Sequence, residues 1–343
     1  MRIGIIGAGQ LGQMLSVAAK NLGLECRLIE ADDLDALVGL ASDCDVVTYE
    51  FENVPVDALL AIADRVQVYP PPEALRIAQD RLQEKQLFEA VRIPLPAYRR
   101  IDSVSDLHNA ITDLGLPVVL KTRRFGYDGK GQVVIRETAD AEPAWDKLGQ
   151  HPLIAEAWVA FDYEMSVIGA RNPDGDVVIW SMTQNEHVDG ILHTSRSPVD
   201  SSPMIKRASA YIVQLLKHLD YVGVLALELF VAGDELLANE FAPRVHNSGH
   251  WTIEGARTSQ FANHLLAISG QELRDPSCVG HAGMINLIGA IPAAVADIGD
   301  PRVFLHDYGK TPRPGRKLGH LTVVAESASE RDDLLRNIGE TVT

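Results

Sequence analysis

The sequence predicts an α/β protein, α+β in part, made of three successive units. Three observations carry this reading. Short apolar runs alternate with helical patterns over residues 1–96, the signature of parallel βαβ units. A basic, glycine-rich loop interrupts two apolar strands in the middle of the chain. Farther on, two apolar strands separated by Val231-Ala232-Gly233-Asp234 each carry one glutamate.

Composition narrows the function. At 343 residues the chain can bury two or three modest cores, and 46% hydrophobic with 23% charged residues suits a soluble globular protein. A formal net charge of -16 repels a phosphate backbone, so no nucleic-acid partner is expected. The same charge means that a local cluster of Lys and Arg needs a reason. Cys26, Cys44 and Cys278 are far apart and odd in number, which fits reduced thiols in a cytoplasmic protein. Met1-Arg2-Ile3-Gly4 runs straight into a strand, with no signal peptide, and no apolar run reaches membrane-spanning length.

In order along the chain, the first unit (1–96) reads as strand Ile3–Ile6, helix Leu11–Leu22, and strands Arg27–Ile29 and Asp45–Thr48. Its opening, "GIIGAGQLGQM", carries the spacing G-x-G-x-x-G at Gly7, Gly9 and Gly12. Glu30 ends the second strand, where dinucleotide enzymes hold a ribose hydroxyl. "YPPPEAL" punctuates the unit, and Ile93-Pro94-Leu95-Pro96 reads as a linker. The second unit (97–282) holds strands "PVVLKT", "GQVVI" and "LIAEAWV", a long helix over 204–219, and the strands "GVLALELF" and "ELLANEF". The last unit (283–343) contains "MINLIG", the basic run "KTPRPGRKLGH" and a final strand "LTVV".

The chemistry concentrates in a few stretches. Leu225, Leu227 and Leu229 share one strand face, so Glu228 projects from the other. With an odd loop, for instance Ala232-Gly233-Asp234, Glu240 becomes its diagonal neighbour on that face. Two adjacent carboxylates among apolar residues repel unless a cation lies between them, and hard oxygen ligands suit Mg²⁺ carrying a nucleotide's phosphates. An exposed hairpin face with solvated acids is the plain alternative. "KTRRFGYDGKGQ" (121–132) frees the amides of Gly126, Gly129 and Gly131 amid Lys121, Arg123, Arg124 and Lys130, an anion-binding composition that is not a Walker A loop. In "EAWVAFDYE" (156–164) an extended segment offers backbone groups to an adenine, with Glu164 near ribose hydroxyls.

Lysine strand, glycine loop, hinge strand and paired glutamate strands, in that order, resemble the ATP-grasp superfamily. "GQLGQM", "YEFENVP", "DRLQEKQLF", "RRFGYDGKGQ", "NEHVDGIL", "VGVLALELF", "NEFAPRVHNSGHWT", "QFANHL", "MINLIG" and "RPGRKLGH" narrow it. Together they resemble the 5-(carboxyamino)imidazole ribonucleotide synthase family, from Met1 to about Val324. Phe125 stands where that family usually has glycine. The resemblance implies an ATP-grasp fold with an N-terminal Rossmann-like (pre-ATP-grasp) domain, whose glycine turn faces the second substrate, and a small C-terminal domain. It also implies ATP-dependent carboxylation of aminoimidazole ribonucleotide by bicarbonate in purine biosynthesis, with Mg²⁺ as cofactor and a homodimer as the assembly.

Carried over motif by motif, the resemblance gives Arg81, Lys121 and the loop Gly126, Tyr127, Asp128, Gly129, Lys130, Gly131 and Gln132 to the ATP phosphates. Glu156, Ala157, Trp158 and Val159 would line the adenine, Glu164 the ribose, and His187, Asn239 and Glu240 the rest of the nucleotide pocket. Glu228 and Glu240 would hold the metal. Asp128, Lys130, Arg244 and His246 are the implied catalytic residues. Gln10, Leu11, Glu50, Tyr127 and Lys130 would bind the ribonucleotide, with Lys310 and Arg316 on its phosphate. A dehydrogenase reading rests on the opening βα unit alone. A formate-using transformylase of the same superfamily fits "RVHNSGHWT" and "YDGKGQ" less well.

Overall fold

The computed structural model describes residues 1–30, 34–126, 130–199 and 202–342. Tyr127, Asp128 and Gly129, all expected at the site, lie outside the described residues.

The N-terminal unit is a four-stranded parallel sheet in the order Glu25–Ile29, Arg2–Ile6, Val46–Tyr49, Gln67–Val68. Its central strand is nearly all apolar, as a strand covered on both faces must be. The helix Gln10–Leu22 follows the glycine turn and buries Leu15 and Ala19 against Phe261 and Leu265 of the helix Gln260–Ile268. That contact docks the unit on the rest of the molecule. "YPPPEAL" does more than punctuate: Pro72 begins the helix Pro72–Ala78, where a missing N–H costs nothing.

A second sheet of four antiparallel strands runs Tyr98–Ile101, Leu153–Ala157, Val118–Thr122, Gln132–Ile135. The "LIAEAWV" strand ends at Ala157, two residues earlier than its apolar run suggests. The third sheet has nine strands and includes Tyr163–Arg171, Gly223–Ala232 and Glu235–Ala242 at one end. The helix Ser202–His218 packs Ile212, Leu215 and Leu216 on Leu225, Leu227 and Leu229, so the alternation read from "LALELF" holds.

This large sheet continues through Ile191–Ser197 into His281–Ile288 and Lys317–Ala325. The sequence boundary at 282/283 therefore falls inside a strand. The final strand starts at Lys317 and not at Leu321, so the basic run splits between loop and strand. A C-terminal helix, Ala328–Val342, packs Leu335 and Ile338 on this end of the sheet; no sequence feature used above marks it.

Candidate active site

A cavity of about 650 Å³ opens where the three sheets meet, and every unit contributes to its wall. Glu228 and Glu240 stand directly opposite each other in the register of their two strands, closer than the diagonal relation expected. The connecting turn is also shorter than the odd loop considered. Ala232 pairs Glu235, leaving Gly233 and Asp234 as a two-residue turn with Gly233 at φ +57°, where glycine carries no Cβ penalty. That turn alone would oppose Glu228 to Asn239. A bulge between Glu228 and Leu229 in the pairing absorbs one residue and brings Glu240 into register instead.

Each glutamate meets a cationic or polar side chain through one of its oxygens. Glu240 Oε2 lies 3.0 Å from Arg81 Nη1, and Glu228 Oε1 lies 3.0 Å from His246 Nε2. Burial by itself raises the Glu228 pKa, but the hydrogen bond and charge of His246 and the charge of His187 outweigh it and hold it at about 2. Two carboxylates on one cavity face fit a hard divalent cation. Glu164, His187 and Glu228 also present ligand atoms within 4.8 Å of one another, but His187 Nδ1 already faces Glu164 Oε2 at 2.7 Å. A nitrogen ligand suits Mg²⁺ less than a second carboxylate does.

The adjoining wall is a buried ion cluster. Lys121 Nζ donates to Glu156 Oε2 at 2.7 Å, and Lys85 Nζ lies 3.8 Å from Glu156 Oε1. Burial raises the Glu156 pKa, yet Lys121, Lys85 and Arg81 hold it at about 2. Its Oε2 is thus held by Lys121, while Oε1 faces Lys85 at longer range. Ala157, Trp158 and Val159 continue along the cavity, which Phe161 and Phe230 also line with stacked rings 4.8 Å apart. Lys85 also donates to the carbonyl of Asn239, fixing the bulged residue. Of the loop cations, Arg123 pairs with Asp80, the N-cap of the helix Arg81–Ala90, and Arg124 bonds Gln79, so both anchor the loop base. Gly126, Lys130 and Gln132 line the cavity, while Gly131 turns beside them at φ +73°. Phe125 also lines it, 75% exposed at φ +63°, a backbone conformation that glycine adopts without a Cβ penalty.

Glu84, at the back of this wall, yields a pH prediction. Its Oε1 accepts the Phe241 amide at 2.7 Å. Burial, with the Glu240 charge and against Lys85 and Arg81, pushes its pKa from 4.5 to about 8. Between those values the unfolded chain loses this proton before the folded one does, so stability falls as pH rises. Glu84→Gln keeps the shape and removes the titration. Its Tm should gain on the wild type from pH 4.5 to 8 and run parallel below; parallel curves throughout would exclude Glu84 as the source.

At the glycine turn the structure answers the dinucleotide question. Glu50 Oε1 accepts the Gly9 amide at 2.6 Å and its Oε2 accepts the Gly12 amide. The amides that hold a pyrophosphate in dinucleotide enzymes are filled by the chain's own carboxylate. An alanine Cβ at Gly7 would fall 2.3 Å from Glu50 Cγ, so the glycines serve this internal contact. Glu30 lies exposed just past the end of its strand, outside the cavity lining. Gln10, Leu11 and Glu50 do line the cavity, and Gln10 Oε1 accepts from Lys310 Nζ.

Lys310 is half-buried, and burial with the nearby Arg316 charge lowers its pKa. Arg316 donates to the Thr311 carbonyl at 3.1 Å and is not among the described residues lining the cavity. Lys317, the first residue of the last strand, does line it. Arg244 and His246 lie just beyond the Glu240 strand. Arg244 Nη2 pairs with Glu52 Oε1 at 2.8 Å. His246 Nδ1 takes Ser248 Oγ at 2.9 Å, and Ser166 and Asn185 extend that buried polar chain.

The residues expected from three separate units converge on one cavity, and comparison with known proteins follows the same division. A family model for the ribonucleotide synthetase preATP-grasp domain matches residues 1–79, one for the ATP-grasp domain residues 86–261, and one for the phosphoribosylaminoimidazole carboxylase C-terminal domain residues 282–333. The N5-carboxyaminoimidazole ribonucleotide synthase of Pseudomonas aeruginosa is 44% identical over 94% of this chain and 94% of its own. The chain belongs to the N5-carboxyaminoimidazole ribonucleotide synthase family.

The solved N5-carboxyaminoimidazole ribonucleotide synthetase from Thermus thermophilus superposes with a TM-score of 0.94 at 42% identity, covering 99% of this chain and 98% of that one. The Aspergillus clavatus N5-carboxyaminoimidazole synthase, solved with ADP and 5-aminoimidazole ribonucleotide, gives 0.92 at 28% identity over 99% and 98%. In this synthase-family chain, the sequence reading gave no role to Lys85, Glu84 and Asn247, and it preferred Glu50 to its alternating neighbour Glu52, which pairs with Arg244. Each had a legible signal, since Glu84 and Lys85 lie inside "DRLQEKQLF", Glu52 inside "YEFENVP" and Asn247 inside "NEFAPRVHNSGHWT". Among the described residues no helix is long and apolar enough to cross a membrane.

Proposed function

We propose that this chain carboxylates 5-aminoimidazole ribonucleotide with bicarbonate and ATP, giving N5-carboxyaminoimidazole ribonucleotide, ADP and phosphate. The observation that carries this is the convergence on one cavity of Glu228 and Glu240, the Arg81 and Lys121 side chains, and the Gln10–Lys310 pair drawn from the two ends of the chain.

Bicarbonate is a poor electrophile. Its phosphorylation by ATP to carboxyphosphate turns an oxygen into a leaving group, which the exocyclic amine of the ribonucleotide then displaces as phosphate. Glu228 and Glu240 would hold Mg²⁺, which when bound supplies charge neutralisation for the transferring phosphoryl group. Arg81 and Lys121 orient the nucleotide phosphates. Ala157, Trp158 and Val159 receive the adenine, Glu164 takes the ribose hydroxyls, and His187 and Asn239 close that pocket. Arg244 and His246 face the acyl phosphate, where a guanidinium stabilises developing negative charge. Carboxyphosphate hydrolyses readily, so the loop over 126–132, with Tyr127, Asp128 and Lys130, has to shut water out. The division 1–96, 97–282 and 283–343, a homodimer and a cytoplasmic location belong to the same proposal.

The ribonucleotide would lie along Gln10, Leu11 and Glu50, with Lys310 on its phosphate and Arg316 behind. Lys310→Ala should raise the KM for the ribonucleotide about 10- to 100-fold, the loss of one charge-assisted hydrogen bond, and leave that for ATP unchanged. Arg316→Ala should cost less, because its contact is with Thr311. Equal losses for both substrates would move the phosphate elsewhere. The reading as a whole is tested by ADP release. It should require aminoimidazole ribonucleotide and bicarbonate together; release with formate, or with NAD-linked reduction, would replace it.

A further inference from the structure

Asn247 is a polar residue that none of the roles above uses. It opens the short 3-10 turn Asn247–Gly249, one residue past His246, and lines the cavity. Its Oδ1 and Nδ2 are both shielded from solvent, and among the described residues neither has a hydrogen-bond partner. Native interiors rarely leave an amide unpaired at both ends, because the desolvation is unrepaid. Three residues away the Arg244 Nε is likewise buried and unpartnered, while the Arg244 Nη atoms are taken by Glu52 and the Val245 carbonyl.

Among the described residues, the open groups of Arg244 and Asn247 are thus N–H donors plus one acceptor, the Asn247 Oδ1. A fully ionised phosphate offers that oxygen nothing. Bicarbonate offers it an O–H, and offers the donors two oxygens sharing one charge. From this we infer that Asn247 is the bicarbonate ligand: Oδ1 accepts the bicarbonate hydroxyl and Nδ2 donates to one carboxylate oxygen. The inference rests on the carboxylation reading above. The oxygen left over attacks the γ-phosphorus, forming the new P–O bond. The bond to the β-bridging oxygen breaks with its electron pair leaving on ADP. The hydroxyl proton stays on carboxyphosphate, so no base is needed in this step.

The test is steady-state ADP release by Asn247→Leu and Asn247→Ala with each of the three substrates varied in turn, alongside thermal melting. The KM for bicarbonate should rise about tenfold or more, the worth of one good hydrogen bond. The values for ATP and the ribonucleotide should stay within about twofold. Because the amide has no protein partner among the described residues, Asn247→Leu should hold or raise Tm. A fall in Tm with all three KM values disturbed would mean a structural residue and overturn the inference. A rise confined to the ribonucleotide would assign the amide to that substrate and overturn it too, as would unchanged kinetics. If Asn247→Leu does not fold, Asn247→Ala is read by the same criteria. Wild-type ADP release that ignores bicarbonate is a different result: it removes the carboxylation reading itself, and this inference with it.

Discussion

Glu240→Gln lowers kcat by about 10³-fold, a loss of roughly 4 kcal/mol in transition-state stabilisation. The amide keeps the side chain's shape and its place opposite Glu228, but it removes one of the two charges available to Mg²⁺. Folding should be little affected, since the Glu240 side chain is 41% exposed and its pair with Arg81 is partly screened. Raising Mg²⁺ should recover part of the activity. Near-normal turnover at modest Mg²⁺ would place the metal elsewhere, and Glu164, His187 and Glu228 would be the next set to examine.

Lys121→Met has the second largest effect, on binding and stability together. Lys121 and Glu156 form a buried pair, and removing one partner strands the other. The loss should be about 3 kcal/mol, the low end for such a change, because Lys85 remains near Glu156. The KM for ATP should rise about 100-fold, corresponding to lost contact between a cation and phosphate. The double variant Lys121→Met/Glu156→Gln separates the two effects. Stability should largely return, since no unpaired charge is left inside, while ATP affinity stays low. Recovery of both would make Lys121 a structural counter-ion only.

What could be read in advance follows from how local each signal is. The glutamate pair was legible because strand alternation puts Glu228 opposite the leucines and a hairpin brings Glu240 back. The bulge that sets their register was not, since it depends on Lys85 reaching the Asn239 carbonyl from 154 residues away. The glycine spacing announced an anion at the turn. That the anion is Glu50 is a contact between Gly12 and a residue 38 positions on, which spacing alone cannot reveal. Within the basic run, composition could not separate Lys317, on the cavity wall, from Arg316, bonded to its own loop; the start of the last strand divides them. The helix Ala328–Val342 packs on the sheet through few buried positions, with Leu335 and Ile338 the clearest, and this weak pattern gave no warning of it.

The proposed carboxylation requires that bicarbonate be activated on this cavity by phosphoryl transfer. Bicarbonate labelled with ¹⁸O, supplied with ATP and aminoimidazole ribonucleotide, tests it in a single turnover read by mass spectrometry of the phosphate. One labelled oxygen should appear in each phosphate released, because the oxygen that attacks the γ-phosphorus leaves with it. Carboxylated product accompanied by unlabelled phosphate would contradict the account.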